Sequence, residues 1–235
     1  MELYSEIARK IKDNKALIAI TGGGGKTTLM ENLALYLKSK GLSVLITTTT
    51  KVESPIYHDY KVDYVYSDES VLSHDVKKQE SVFYANKSYD TKKWISPRLE
   101  VIIALSKLYD VVIYEADGSR SLPLKIHTER DPVVLNSSDI VIGVMGVWAL
   151  GHKAYEMCFG DGSGRIIDKS YLDEYLCSEE GLSKSMEKAK EKIFVFNGGE
   201  NASEHDKYTL ASCKKPSNII SYLASARRDE IYATF

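Results

Sequence analysis

Apolar positions along the chain fall into runs of two kinds. Leu3, Ile7 and Ile11 recur at helical spacing, which predicts a short amphipathic helix from residue 2 to about 13. ALIAI (Ala16–Ile20) is a continuous apolar run that breaks into TGGGGKTT. Leu29, Leu33 and Leu37 then share one helical face, and Gly41 supplies the stop. SVLIT (Ser43–Thr47) reads as a second buried strand. A strand, a glycine turn, a helix and a strand make a βαβ unit with parallel pairing.

Residues 51–95 follow neither pattern. Six tyrosines punctuate a polar segment with strand-like pieces at Lys61–Tyr66 and Ser81–Tyr84, which reads as an insertion at about 52–95 packed over the sheet. Pro97–Lys107 carries a helical pattern with proline near its start. VVIYEADGSR (Val111–Arg120) is an apolar strand ending in acids. DIVIGVMGV (Asp139–Val147) and KIFVFNGGE (Lys192–Glu200) are further buried strands, and NIISYLAS (Asn218–Ser225) reads as the last. Continuous apolar strands separated by helical stretches predict an α/β domain with three layers and a mostly parallel central sheet. Residues 1–235 fit one such domain.

The longest apolar stretch, Ile140–Leu150, contains two glycines and falls short of the ~20 residues that span a bilayer. MELYSEIARKIKDNK shows no hydrophobic signal core. A formal charge of -2 supplies no global pull toward nucleic acid or an anionic membrane. Cys158, Cys177 and Cys213 lack the close spacing of a zinc site and fit reduced thiols in a cytoplasm.

The strongest chemical signal is Thr21-Gly22-Gly23-Gly24-Gly25-Lys26-Thr27-Thr28. Without Cβ atoms, Gly22, Gly23, Gly24 and Gly25 let backbone N–H groups approach phosphate oxygens, and a helix that starts there favours the same anion. In that reading Lys26 neutralises the β and γ phosphates, Thr27 places its hydroxyl on Mg²⁺, and Thr28 continues the cradle. The usual phosphate-loop pattern has a glycine five residues before Gly25, where Ile20 stands. The loop is therefore the compact GxxGKT form, similar to that of the Mur ligases.

A phosphate-bound Mg²⁺ calls for carboxylates at the tip of a neighbouring strand. Glu115 and Asp117 alternate with Ala116, so in an extended chain both point the same way, toward a metal shell or an attacking nucleophile. Asp110, at the opposite end of that strand, reads as structural. Thr49, Thr50 and Lys51 follow the second strand at the same sheet edge, where they are candidates for substrate contact. Asn197-Gly198-Gly199-Glu200 occupies the place of the Asn-Lys-x-Asp sequence that reads guanine in many nucleotide switches. Asn197 is expected to brace the loops, but Gly198 and Glu200 depart from that sequence and leave ATP and GTP both open. His127, His152 and His205 are too far apart to suggest a metal and read as surface or packing residues. Trp148 reads as core.

TGGGGKTT (21–28), VLITTTTK (44–51), YEADGSRSLPLK (114–125), DIVIGVMGVWALG (139–151) and the NGGE tip (197–200) together resemble the YqeC family, described as accessory proteins of selenium-dependent molybdenum hydroxylases. The resemblance implies a P-loop NTPase-like fold and a role in maturing a selenium-containing molybdenum cofactor. A molybdenum hydroxylase, or its cofactor-maturation proteins, would be the partner. It also implies that Ser119 and Arg120 face the reaction zone with Glu115 and Asp117. Two readings of the activity stay open: a Mg²⁺-dependent enzyme that hydrolyses or transfers the γ phosphate of ATP or GTP, or a non-catalytic nucleotide-dependent switch that delivers cofactor or selenium. A kinase or amide-forming ligase is a third class, which the absence of the extra ligase domains disfavours.

Overall fold

The computed structural model describes residues 1–235. Helix α1 (Leu3–Ala8) leads into strand β1 (Ala16–Gly22), helix α2 (Lys26–Ser39) and strand β2 (Val44–Thr48). The short β3 (Val52–Glu53), β4 (Tyr64–Tyr66), β5 (Ser81–Tyr84) and β6 (Lys93–Trp94) follow, then α3 (Leu99–Leu108) and β7 (Val111–Glu115). Next come β8 (Leu124–Lys125), β9 (Ile140–Gly146), α4 (Ala154–Met157), β10 (Cys158–Phe159) and α5 (Lys169–Tyr175). The chain closes with β11 (Glu191–Asn197), α6 (Glu204–Ser212), β12 (Ile220–Ser225) and β13 (Glu230–Thr234).

Nine strands form the central sheet in the order β13-β12-β11-β9-β1-β7-β2-β5-β4. Every pairing is parallel except β12 with β13. Strand alternation separates two cores. Ile18, Ile20, Ile46 and Ile113 face Leu3, Leu29, Leu33 and Leu37 of α1 and α2. Leu17, Ala19, Leu45 and Tyr114 face the side covered by α3, α5 and α6. A sheet apolar on both faces and covered on both is the three-layer α/β arrangement read from the sequence. No helix is long and apolar enough to cross a membrane.

Three expectations change. The first helix ends at Ala8, not residue 13: the Lys10 and Ile11 amides bond three residues back, to the Ile7 and Ala8 carbonyls, and Asp13 and Asn14 then take left-handed angles in the turn that feeds β1. The 52–95 segment does not pack over the sheet. Its β5 pairs with β2, and β4 pairs with β5, both parallel, so the segment widens the sheet. Only the β3–β6 ribbon stands apart, and it carries Lys93. Finally, β12 is not the last strand. β13 returns antiparallel beside it, with an exposed-intermediate alternation typical of an edge.

At the centre of the sheet, β1 has β7 on one side and β9 on the other. The chain order reverses there, and a crevice opens above the carboxyl ends of the strands.

Candidate functional site

The end of β1 and the start of α2 enclose the glycine loop in that crevice. Gly24 sits at φ +74°, and an added Cβ would lie 2.3 Å from the Gly146 nitrogen, so only glycine fits. The loop amides divide into two sets. Gly22 N–H donates to Asp117 Oδ2 (2.8 Å), Gly23 N–H to the Val144 carbonyl (2.8 Å) and Gly24 N–H to the Leu122 carbonyl (3.1 Å). These three amides anchor the loop to its walls, contrary to the expectation that the whole glycine run faces an anion. The amides of Gly25, Lys26, Thr27 and Thr28 find no backbone acceptor, since the first helical bond runs from Leu29 N–H to the Gly25 carbonyl. The receptive N–H groups are those of the first turn of α2, at its positive end.

Lys26 folds back over this loop. Its Nζ donates to the Gly22 carbonyl (2.5 Å) and lies 2.8 Å from Asp117 Oδ1 and 3.6 Å from Glu115 Oε1. Burial disfavours the ammonium, but the charges of Asp117 and Glu115 outweigh it and raise the Lys26 pKa. The two acids differ in environment. Burial also works against the Asp117 carboxylate, yet Lys26 and then the His127 contact hold its pKa well below the usual range. Burial raises the Glu115 pKa, Lys26 only partly opposes it, and the neighbouring Asp117 charge adds to the rise.

Asp117 and Glu115 both reach Lys26, as strand alternation predicts, but only Glu115 lines the crevice. Asp117 is fully buried beneath the loop, so its place is to hold Gly22 and Lys26 and not to face a metal or nucleophile. Behind it lies His127, 1% exposed, with Nε2 2.5 Å from Asp117 Oδ2 and Nδ1 2.9 Å from the Gly181 carbonyl. The sequence reads His127 as a surface or packing residue; the ring is buried, and its partner is the site acid. Nothing in its spacing shows that the chain after β7 folds back on itself and returns the ring to the acid ten residues earlier.

The crevice is a cavity of about 550 Å³. Gly24, Gly25, Lys26, Thr27, Thr28 and Glu115 line its centre, and Gly22 and Gly23 lie outside it. Asn197 lines one end and braces the loop as predicted: its Nδ2 donates to the Gly24 carbonyl (2.8 Å), and its Oδ1 accepts from Ala226 N–H (2.9 Å). Lys51, Ser119 and Arg120 also line the cavity. Thr49 and Thr50 do not. Thr49 donates its hydroxyl to the Val133 carbonyl (2.9 Å), a contact to a distant loop, and Thr50 N–H bonds Thr48 Oγ1 (3.0 Å) in a local turn, so both are engaged away from the cavity. Asp110 is structural, accepting from Ser43 at the far end of β7.

Trp148 corrects another reading. It is 46% exposed and lines the cavity, its indole lying over Gly146, where a Cβ would approach within 2.6 Å. His58, Lys93 and Arg227 reach the same cavity, and no sequence signal singled them out.

Residues 18–160 match the family model described as YqeC protein. The chain belongs to the YqeC family. The matched span contains the glycine loop, both strand-tip acids, His127 and Trp148, whereas Asn197 and Arg227 lie beyond it. The chain is also similar to the uncharacterized protein YqeC of Escherichia coli (strain K12), 36% identical over 140 residues. That alignment takes in 58% of this chain and 54% of the relative, so the chain spans about half the length of the curated relative it matches.

Proposed function

We propose that the chain binds a nucleoside triphosphate with Mg²⁺ in a P-loop NTPase-like site and hydrolyses or transfers the γ-phosphoryl group. The observation that carries this reading is the pairing of a buried, charged Lys26 with unengaged amides at Gly25–Thr28, beneath a cavity lined by further cations. Such a set of donors suits several phosphate oxygens at once. Thr27 and Glu115 both line the cavity and offer a hydroxyl and a carboxylate oxygen, the donor type that a hard divalent cation takes. No group of three or more His, Cys, Asp or Glu side chains is assembled for a metal, so in this reading the cation arrives on the phosphates and neutralises their charge.

The residues then divide the work. The α2 amides and Lys26 hold the β and γ phosphates and stabilise charge on the transferring group. Glu115 orients the incoming oxygen. As that oxygen bonds to the γ phosphorus and its proton passes to solvent, the bond to the β–γ bridging oxygen breaks, and the nucleoside diphosphate leaves with the electron pair. The base lies toward Asn197 and Trp148. The pathway we propose, maturation of a selenium-containing molybdenum cofactor with a molybdenum hydroxylase or its maturation proteins as partner, is supported by the sequence resemblance and by family membership.

Calorimetric titration with ATP and GTP, each with and without Mg²⁺, tests the binding step. Saturable, Mg²⁺-enhanced binding that Lys26→Ala removes is the expected result. Absence of binding by either nucleotide would overturn the reading.

A further inference from the structure

The cavity extends to both sides of β1. On the side of β9, β11 and β12 it is lined by Trp148, Asn197, Glu200 and Arg227. On the side of β7 and β2 it is lined by Lys51, Glu53, His58, Tyr60 and Lys93. The α2 amides lie between the two arms. A nucleotide whose phosphates occupy those amides and whose base reaches Trp148 fills the first arm and leaves the second open, next to the γ phosphate.

Two features of the second arm point to a ligand. First, neither Lys51 nor Lys93 forms an ion pair, and the same holds for Arg120 at the rim. Lys93 is near enough to Glu115 that its charge works to lower that carboxyl's pKa, but Glu115 already faces Lys26. Second, His58 is held in a fixed pose. Its Nε2 lies 2.6 Å from Oε1 of the buried Glu31, its ring meets Tyr60 edge-on at 4.5 Å, and Tyr60 stacks on Phe83 at 3.8 Å. With Nε2 committed to the Glu31 carboxylate, Nδ1 is the ring atom left for a ligand, and it has no hydrogen-bond partner in the protein. Lysines held in no ion pair, Lys93 with Glu53 opposite it across the β3–β6 ribbon, beside an oriented imidazole offer a site for an oxyanion.

We propose that this arm is a second-substrate subsite, resting on the reading of the glycine loop above. It takes a small organic oxyanion, a phosphate monoester or a free carboxylate, carrying the hydroxyl that accepts the γ-phosphoryl group. Lys51 and Lys93 hold the anion, and His58 Nδ1 accepts the hydrogen bond of that hydroxyl.

The test is calorimetric, on the full chain first saturated with Mg²⁺ and a non-hydrolysable ATP or GTP analogue so that the loop is filled. Inorganic phosphate and, in parallel, malonate are the probes; binding of either supports the subsite, and the tighter one identifies the anionic group. A K51A/K93A double variant is expected to lose about tenfold or more in probe affinity, a larger loss than in analogue affinity. No probe binding with the loop filled, or equal binding by the double variant, overturns the proposal. If neither analogue binds, the nucleotide reading fails on its own, and phosphate is titrated into the free protein. Loss of phosphate binding in K51A/K93A and not in K26A then still supports the subsite, while any other pattern overturns it.

Discussion

Lys26 Nζ lies 2.8 Å from Asp117 Oδ1, with both side chains almost wholly out of solvent, and the other Asp117 oxygen is bonded by His127 and by the Gly22 amide. One carboxylate, from the loop after β7, thus ties together the first residue of α2, the last residue of β1 and the loop that follows β8. Removing the lysine leaves Asp117 and the partly covered Glu115 without their main counter-charge. Lys26→Met is therefore expected to cost about 3–5 kcal/mol of stability, as breaking a buried pair does, in addition to abolishing nucleotide affinity. Urea unfolding measures the first effect and calorimetry the second. The K26M/D117N double variant should recover part of the lost stability and none of the binding.

The two acids should respond to pH with opposite signs. The Asp117 pKa is lowered in the folded protein, so its stabilisation is complete above the unfolded value of about 3.9 and is lost as pH falls toward the lower folded value. The stability gap between the wild type and Asp117→Asn should therefore be constant near neutrality and shrink below about pH 4. The Glu115 pKa is raised, so the folded state favours its proton, and ionising it at higher pH is destabilising. Glu115→Gln should melt higher than the wild type at neutral pH, with the difference closing in acid. Urea denaturation across pH for both variants checks the signs. A Glu115→Gln protein less stable than the wild type at pH 7 would contradict the assignment.

Much of the fold was legible because β1, β2, β7 and β9 are buried on both faces and appear as unbroken apolar runs. The sequence reading locates β4 and β5 as strand pieces but not their place in the sheet, and it misses β13; β4 and β13 are edges whose partly exposed residues give no such run, and the four residues of β5 carry no sign of their partner. The same distinction holds in the site. The glycine loop and Glu115 are local to one strand tip and one helix start, where spacing carries the geometry. His58, Lys93 and Trp148 reach the crevice, and His127 the back of Asp117, from segments that only tertiary folding brings there. The sequence signal also overstated Thr49 and Thr50, because it located the sheet edge but not the backbone bonds that engage the segment there.

Gly24 offers a steric test of the loop. Alanine there must hold φ near +74° while its Cβ meets the Gly146 nitrogen at 2.3 Å. The expected cost is about 1–3 kcal/mol, as for other strained backbone positions, with the strand β9 exit pushed away from the loop. Because Asn197 grips the Gly24 carbonyl, the displacement should reach the base end of the cavity as well. Gly24→Ala is thus predicted to lose nucleotide affinity at temperatures where circular dichroism still reports a folded sheet.

Trp148 supplies an intrinsic reporter. The chain has two tryptophans, and the other, Trp94, is 7% exposed and stacks near Phe83 with ring centroids 6.3 Å apart. Trp148 is half exposed at the end of the cavity braced by Asn197, where a purine would stack on its indole face. Adding Mg²⁺ with ATP or GTP should therefore change the tryptophan emission, and Trp148→Phe should remove that change while Trp94 stays silent. Trp148→Ala is expected to weaken binding by about tenfold or more, since stacking of a base on an aromatic ring is worth about 1–3 kcal/mol. An emission change that persists in Trp148→Phe would place the base elsewhere, and the arm of the cavity assigned to it would have to be exchanged with the one that carries Lys51 and Lys93.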